Sequence, residues 1–277
     1  MGARVTVRAV VLSRFALDGG AMHGIVPKAL WARAHAADAE NRIRLVARGF
    51  VVDAPAAGAR TLVELGMGQR WSDKARGHYA LEPGPDAPDA LRAAGVDPDT
   101  VTHVVLTHLH WDHAGGIARA DGSLAFPRAE HVVGRRALEH ATGPAEKDAG
   151  SFRDEDLALL TRAARLRLWD AGELAPGLDA RTSDGHTPGL VVPIARARDD
   201  GPPLAFPTDL VPTRSHLKPG WVMAYDNLPV ESAREKHELF AELDRIGGGV
   251  ALYHDPDVEA AYRVAGAFRL GTLAGPS

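Results

Sequence analysis

The chain has 277 residues, of which 45% are hydrophobic and 25% charged, and its formal net charge is −4. This length and composition can bury a sizeable core, and the scattered charges disfavour a nucleic-acid partner. The chain contains no cysteine, which excludes disulfides, thiolate metal ligands and cysteine nucleophiles.

The N-terminal stretch is apolar only in short pieces. Arg8, Arg14 and Asp18 interrupt it before it reaches the length of a signal peptide or a membrane span. We therefore expect a cytoplasmic protein with no membrane partner. No repeat of 20–50 residues is found, and the Pro/Gly-rich stretches 82–88 and 199–203 are too short for linkers, so we predict one domain over residues 1–277.

The first half of the chain predicts a β-meander, then a helix, then a strand. The meander strands are expected at residues 5–12, 43–52 and 61–65, where β-branched residues are bounded by Gly and Pro. A short helical pattern at 88–94 ends at Gly95, and a β-rich run follows at 101–107.

The second half predicts a helix, a hairpin, a longer helix and a last strand. Ser151 and Asp154 resemble a capping box that opens a helix with Leu157, Leu160 and Ala164 on one face. Residues 190–195 and 204–206 are expected to pair as a hairpin. The longer helix is indicated by the helical spacing of Leu239, Phe240, Leu243 and Ile246; it should end at Gly247, before a strand at 250–253.

The segment THLHWDHAGG, residues 107–116, carries the strongest chemical signal. Four potential metal ligands occupy six consecutive positions: His108, His110, Asp112 and His113. Residues two apart in an extended stretch project to the same side, so His108 and His110 can bind one ion while the following turn directs Asp112 and His113 towards a second. A chain with 13 histidines forms clusters by chance, yet residue frequencies give this motif only about a few times in a thousand chains.

Three further candidates, His186, Asp209 and His254, stand next to predicted strands. Strand ends gathered at one edge of a sandwich can direct distant side chains into one pocket. If Asp209 bridges, each ion receives three protein ligands plus the bridge and keeps an open position for water. We therefore predict two divalent metal ions, with zinc preferred and manganese, iron or cobalt as alternatives.

These motifs, taken in chain order, resemble the metallo-β-lactamase superfamily over nearly the whole chain. The resemblance implies an α/β fold, a four-layer αββα sandwich. It also implies one metal on His108, His110 and His186, and the other on Asp112, His113 and His254. Two positions depart from the family pattern: Glu64 replaces the usual Asp, and Thr208 replaces the Gly of many members. Glu64 is expected to hydrogen-bond a metal-binding histidine.

Four longer segments resemble a narrower branch that includes quorum-quenching N-acyl-homoserine lactonases and organophosphate hydrolases; they are residues 18–22, 26–28, 209–213 and 221–226. This resemblance implies a lactonase-like hydrolase that uses a hydroxide between two metals. An organophosphate or aryl-ester hydrolase is the first alternative, and a non-catalytic, metal-dependent small-molecule binder is the second. A nucleic-acid-processing enzyme ranks last because no basic face is evident.

Several residues receive narrower roles in this hypothesis. Asp112 is expected to transfer a proton, and Tyr225 either donates a hydrogen bond to the substrate carbonyl or packs beside Trp221. His23 and His216 are candidates for the lining of the substrate pocket. The partner is a small-molecule substrate, and the chain is expected to be a monomer or a homodimer. Gly66 and Gly68 are interpreted as a tight turn, since no helical phosphate motif follows them.

Overall fold

The computed structural model describes residues 4–276, which form two β-sheets and eight α-helices. The strands are β1 (Thr6–Asp18), β2 (Arg42–Ala54), β3 (Ala59–Val63), β4 (His103–Leu106), β5 (Glu130–Gly134), β6 (Leu166–Trp169), β7 (Asp179–Ser183), β8 (Leu190–Ala195), β9 (Leu204–Ala205), β10 (Gly249–Ala251), β11 (Ala260–Val264), β12 (Ala267–Thr272) and β13 (Gly275–Pro276). The helices are α1 (Gly19–His23), α2 (Lys28–Trp31), α3 (Asp73–His78), α4 (Ala87–Ala93), α5 (Trp111–Ala114), α6 (Arg135–Thr142), α7 (Asp154–Thr161) and α8 (Pro229–Ile246).

Each sheet combines antiparallel and parallel pairs. The first sheet has the order β1-β2-β3-β4-β5-β6, antiparallel from β1 to β3 and parallel from β3 to β6. The second has the order β13-β12-β11-β10-β9-β8-β7, in which only the β9–β10 pair is parallel. The early meander is therefore confirmed.

Three apolar layers hold the two sheets and their helices together. The central layer joins the inner faces of the two sheets, for example Phe50 with Phe206. A second layer packs the first sheet against α4, α6 and α7, and a third packs the second sheet against α8. Because strand residues alternate between faces, Val132 lies in the central layer and Val133 in the second. This is the αββα sandwich that the family resemblance implies.

Most of the predicted elements are confirmed, with small changes at their ends. The helix expected at 88–94 is α4, and Gly95 follows it with a φ of +76°. The hairpin forms with Ile194 opposite Ala205. Helix α8 ends at Gly247, whose φ is +64°. The first strand extends beyond the expected end, to Asp18, because a register irregularity between Val11 and Ser13 lets β1 keep pairing with β2.

The capping box at Ser151 is wrong. Helix α7 begins at Asp154 after Arg153, with no side-chain cap, and Ser151 belongs to a preceding 3-10 turn. The guanidinium of Arg153 lies 4.7 Å from the centre of the Trp71 ring, so a tertiary contact fixes the backbone where α7 begins. Ala164, expected on the apolar face, is exposed beyond the end of the helix.

Among residues 4–276, no helix combines the length and the apolar character needed to cross a membrane.

A buried histidine in β5 gives the fold a testable pH dependence. His131 is 1% exposed, and burial lowers its pKa from 6.5 to about 4. The folded state thus binds a proton at His131 more weakly than the unfolded chain does. The contribution of neutral His131 to the free energy of unfolding is therefore fully present above pH 6.5 and is lost as the pH falls towards 4. Leucine does not titrate, so we expect the free energy of unfolding of His131→Leu to fall by about 3 kcal/mol less than that of the wild type on acidification.

The measurement is urea unfolding of both proteins at about pH 7 and about pH 4.5. Other acid-sensitive groups are shared by the two proteins, so the difference between their pH slopes reports His131. Equal slopes would show that this imidazole does not limit stability in acid.

Candidate metal centre

The fold gathers the seven predicted ligands at one end of the two sheets, and each follows a strand. His108 and His110 come after β4, and Asp112 and His113 lie in α5, which begins directly afterwards. The others follow β7, β9 and β10; they are His186, Asp209 and His254. All seven are buried. Strands supply the rigid support, and the short segments beyond them point the side chains inwards.

The first cluster consists of His108, His110, His186 and Asp209. The Nδ1 atom of His110 lies 3.2 Å from His108 Nε2 and 3.1 Å from His186 Nε2. His186 Nε2 lies 3.3 Å from Asp209 Oδ2. Three imidazole nitrogens and one carboxylate oxygen therefore converge on a single point.

The second cluster consists of Asp112, His113, His254 and the same Asp209. Asp209 Oδ1 lies 3.2 Å from His113 Nε2 and 3.0 Å from His254 Nε2. His254 Nε2 lies 3.4 Å from Asp112 Oδ2. Since Oδ2 of Asp209 faces the first cluster and Oδ1 the second, this carboxylate has the geometry of a bridge between the two.

Both clusters fit divalent metal ions. Ligands at the distances usual for tetrahedral zinc lie about 3.3 Å from one another. The ligand atoms of each cluster lie within 4.8 Å of one another, and the close pairs range from 3.0 Å, between Asp209 Oδ1 and His254 Nε2, to 3.9 Å, between His113 Nε2 and Asp112 Oδ1. His113 Nε2 and Asp209 Oδ1 are buried without a properly aligned hydrogen-bond partner in the described chain. Such atoms are costly unless something binds them, and a cation between them removes the cost. The donors are nitrogen and oxygen only, which suits zinc, manganese, iron or cobalt.

Three of the histidines are oriented by a partner on their second ring nitrogen. His113 Nδ1 donates to Glu64 Oε2 at 3.0 Å, and His254 Nδ1 donates to Val46 O at 2.8 Å. His186 Nδ1 donates to Asp226 Oδ1 at 3.0 Å. Each of these bonds leaves Nε2 free to face the cluster.

Glu64 therefore makes the hydrogen bond to a candidate ligand histidine that the family resemblance implies, although it replaces the usual Asp. Its other oxygen, Oε1, accepts from Thr107 N at 2.8 Å. The residue has a φ of +71°, a region that Asp and Asn tolerate better than longer side chains. Thr208, the second departure, also has a positive φ, +42°, and its hydroxyl lies 3.0 Å from that of Thr107.

Sequence reasoning missed Asp226 as the partner of His186. It ends the segment 221–226, which resembles the narrower branch as a whole and gives this residue no separate role. An acidic residue closing such a segment was the one available signal.

The electric field of the site favours a cation. Burial lowers the pKa of His108 and His110 well below its usual range, so both imidazoles are neutral. Burial acts in the same direction on His113, but the carboxylates of Asp209, Asp112 and Glu64 outweigh it and raise the pKa of His113. Burial opposes ionisation of Asp209, yet His113, His254 and His186 hold its pKa well below the usual value.

A small cavity of about 40 Å³ lies over the two clusters. Its other walls are Leu17, Met22, Trp111, Ser151, Met223 and Tyr225. It adjoins an outer chamber of about 690 Å³, and the two share Leu17, Trp111, Ser151 and Tyr225. Burial, followed by the nearby Asp112 charge, raises the pKa of Tyr225, so its hydroxyl stays protonated and can donate. The inner cavity has room for roughly one or two water molecules, and the outer chamber that adjoins it is large enough for a small molecule.

The predicted pocket role of His23 and His216 is wrong for this cavity. Both are fully buried, and neither lines it. His23 donates through Nδ1 to Gly19 O at 2.8 Å and stacks on Trp31, while His216 bonds through Nε2 to Met22 O at 2.8 Å. They support the backbone of α1 from behind, and Met22 provides the side chain that reaches the cavity.

Comparison with known proteins finds relatives over most of the chain. Residues 50–267 match the metallo-beta-lactamase superfamily. The N-acyl homoserine lactonase AttM of Azorhizobium caulinodans is 29% identical over 180 residues, which is 63% of this chain and 66% of that protein, just under two thirds of its length. AttM of Agrobacterium fabrum is 26% identical over 235 residues, covering 79% of this chain and 85% of the relative.

Solved structures show the same fold over almost the full length. A probable metal-dependent hydrolase from Staphylococcus aureus has a TM-score of 0.86 and 25% identity, and the match covers 98% of both chains. AidC, a dizinc quorum-quenching lactonase in complex with a product, N-hexnoyl-L-homoserine, has a TM-score of 0.77 and 16% identity; the match covers 98% of this chain and 95% of AidC.

Proposed function

Because the chain belongs to the metallo-β-lactamase superfamily, we propose that it is a binuclear metallohydrolase that opens the ring of N-acyl homoserine lactones. The observation that carries the proposal is the pair of buried His/Asp clusters that share Asp209 beneath an open cavity. The AttM relatives and AidC support the choice of a lactone, since their names state lactonase activity. Zinc is the proposed metal.

In this proposal His108, His110 and His186 would hold one ion, Asp112, His113 and His254 would hold the other, and Asp209 would contribute to both. When bound, two divalent cations would act as Lewis acids and lower the pKa of water from its high bulk value towards about 7. The chain therefore needs no Ser or Cys nucleophile.

The side chains around the clusters have separate tasks. The Asp112 carboxylate faces the cavity, where it can accept a proton from the attacking water and return it to the departing alkoxide. The protonated hydroxyl of Tyr225 can donate to the lactone carbonyl as negative charge develops on its oxygen. Leu17, Met22 and Met223 line the small inner cavity with apolar side chains, and these less polar surroundings would strengthen both interactions.

Metal removal tests the proposal. We expect treatment with EDTA to abolish hydrolysis of N-hexanoyl homoserine lactone, and added Zn²⁺, Mn²⁺ or Co²⁺ to restore it, because every proposed ligand is a nitrogen or oxygen donor. Ring opening is followed by proton release, and circular dichroism checks that the metal-free protein is folded. Full activity in a preparation shown to be free of metal would refute the proposal.

A substrate panel separates the alternatives. Homoserine lactones of several acyl lengths are compared with a paraoxon-like phosphotriester, an aryl ester and a β-lactam. Faster hydrolysis of the phosphotriester or aryl ester would replace the lactonase assignment with the first alternative. Inertness towards the whole panel with two metals bound, together with tight retention of a small ligand, would indicate a non-catalytic binder.

A further inference from the structure

Two adjacent charged residues in the middle of α8, Glu235 and Lys236, are buried although neither faces the cavity. Their exposed fractions are 5% and 1%. A buried charge is costly unless its environment satisfies it. Each of these two side chains contacts a different loop, and the two loops meet at His186 and Asp226.

The carboxylate of Glu235 binds the three residues that precede His186. Oε2 accepts from Ser183 Oγ at 2.5 Å and from Gly185 N at 3.1 Å, and Oε1 accepts from Asp184 N at 2.8 Å. Gly185 also lies so close to the backbone of Ser232 that a Cβ there would clash. The end of β7 is thus fastened to α8 immediately before the ligand.

Lys236 holds the opposite loop. Its Nζ donates to Trp221 O at 2.6 Å, at the start of the segment that ends in Asp226. The two loops are then joined to each other, because Asn227 N donates to His186 O at 3.0 Å and His186 Nδ1 donates to Asp226 Oδ1 at 3.0 Å. Helix α8 therefore supports both members of the His186–Asp226 pair.

We infer that Glu235 is a positioning residue that sets the place of His186 in the first cluster by fixing Ser183–Gly185. The inference rests on the proposed metal-binding role of His186. Glu235 does not touch the substrate cavity, and it acts only through the backbone and hydroxyl donors of the loop. The second cluster takes no ligand from this loop, so the effect of losing Glu235 is confined to one of the two ions.

Glu235→Gln tests this inference. Both carboxylate oxygens of Glu235 accept hydrogen bonds from the loop, whereas glutamine has one acceptor oxygen and an NH2 group that cannot accept. Metal affinity is measured in the full-length protein by competition of Zn²⁺ with a chromogenic chelator. We expect one ion to bind about 10–100-fold more weakly, the usual effect of losing an outer partner, and the other to bind as in the wild type. The visible absorption of the Co²⁺-loaded protein should change for the same single site.

Glu238→Gln is the matched control. Glu238 lies on the same helix, but its side chain is 46% exposed and pairs with Arg181 and Arg234 at the surface. Both ions should bind to this variant as in the wild type. The inference would be overturned if Glu235→Gln lowered the affinity for both ions equally, or if it lowered neither.

Ser183→Ala keeps the inference testable if Glu235→Gln fails to fold. It removes a single donor and leaves the Glu235 carboxylate with two backbone partners. The affinity for the same ion should decrease by a smaller factor than in Glu235→Gln. Unchanged affinity at both sites would again contradict the positioning role of Glu235. Failure of the proposed function is a separate result: wild-type protein that binds two ions but opens no lactone contradicts the lactonase assignment and leaves the role of Glu235 intact.

Discussion

Replacing Asp209 by alanine is expected to weaken the binding of both proposed metal ions. It should also reduce kcat/KM for the proposed lactone opening by at least about 10²–10³-fold. The two carboxylate oxygens face different clusters, Oδ1 towards His113 and His254 and Oδ2 towards His186. One side chain would thus supply a ligand to each of the two proposed ions. The loss of affinity should exceed the roughly 10–100-fold that follows removal of an outer partner. Zinc content per chain and initial rates of ring opening are the measurements.

Asp112→Ala is the comparison that gives this experiment its meaning. Asp112 is as buried as Asp209, 6% exposed in both cases, but it belongs to the second cluster alone. Its removal should therefore weaken the binding of one ion and leave the binding of the other unchanged, whereas Asp209→Ala should weaken the binding of both. Two tightly bound zinc ions in Asp209→Ala would contradict the bridging role.

The sequence predicts which side chains come together at the candidate metal centre, because most of them are close in sequence. Four of the seven candidates lie within six residues, and their alternation along an extended stretch already separates His108 and His110 from Asp112 and His113. Asp209 and His254 follow strands predicted at 204–206 and 250–253, whereas His186 follows β7, which was not predicted, and precedes the predicted strand at 190–195. Since strand ends of a sandwich meet at one edge, the order of elements places these residues near the cluster.

The partners behind the ligands are harder to predict, because they depend on contacts between distant parts of the chain. Glu235 has the appearance of an ordinary helical glutamate, and nothing in α8 alone distinguishes it from the exposed Glu238. Its importance follows from β7 lying against the helix. Glu64 was found in advance only through the family pattern, since its separation from His113 is 49 residues.

The direction in which a side chain points also escapes sequence reasoning. His23 belongs to a segment that borders the cavity, yet α1 turns Met22 towards the cavity and His23 away from it. Ser151 shows the opposite error, because a capping pattern assigned it to a helix start and the structure places it in the cavity wall. Both side chains are set by packing between elements and not by local pattern.

Gly116→Ala is expected to destabilise the fold by about 3 kcal/mol or more, since the added Cβ would overlap the carbonyl oxygen of Leu65. Two backbone hydrogen bonds hold these segments together, Leu65 N to His113 O and Gly116 N to Gly66 O, each 3.0 Å long. Backbone atoms cannot move aside as a flexible side chain can. The tight turn at Gly66, with a φ of +69°, leaves the loop little freedom to adjust.

The strain should also reach the metal centre, because the loop that must move begins at Glu64, the acceptor for His113 Nδ1. We therefore expect Gly116→Ala to lower the free energy of unfolding in the metal-free protein and to weaken Zn²⁺ at the second cluster as well. Gly220→Ala is the control, since no atom lies within 4 Å of its added Cβ, and its stability should stay within about 0.5 kcal/mol of wild type. A Gly116→Ala protein with the stability and zinc affinity of wild type would show that the two segments can separate at no cost, and that Glu64 does not depend on their contact.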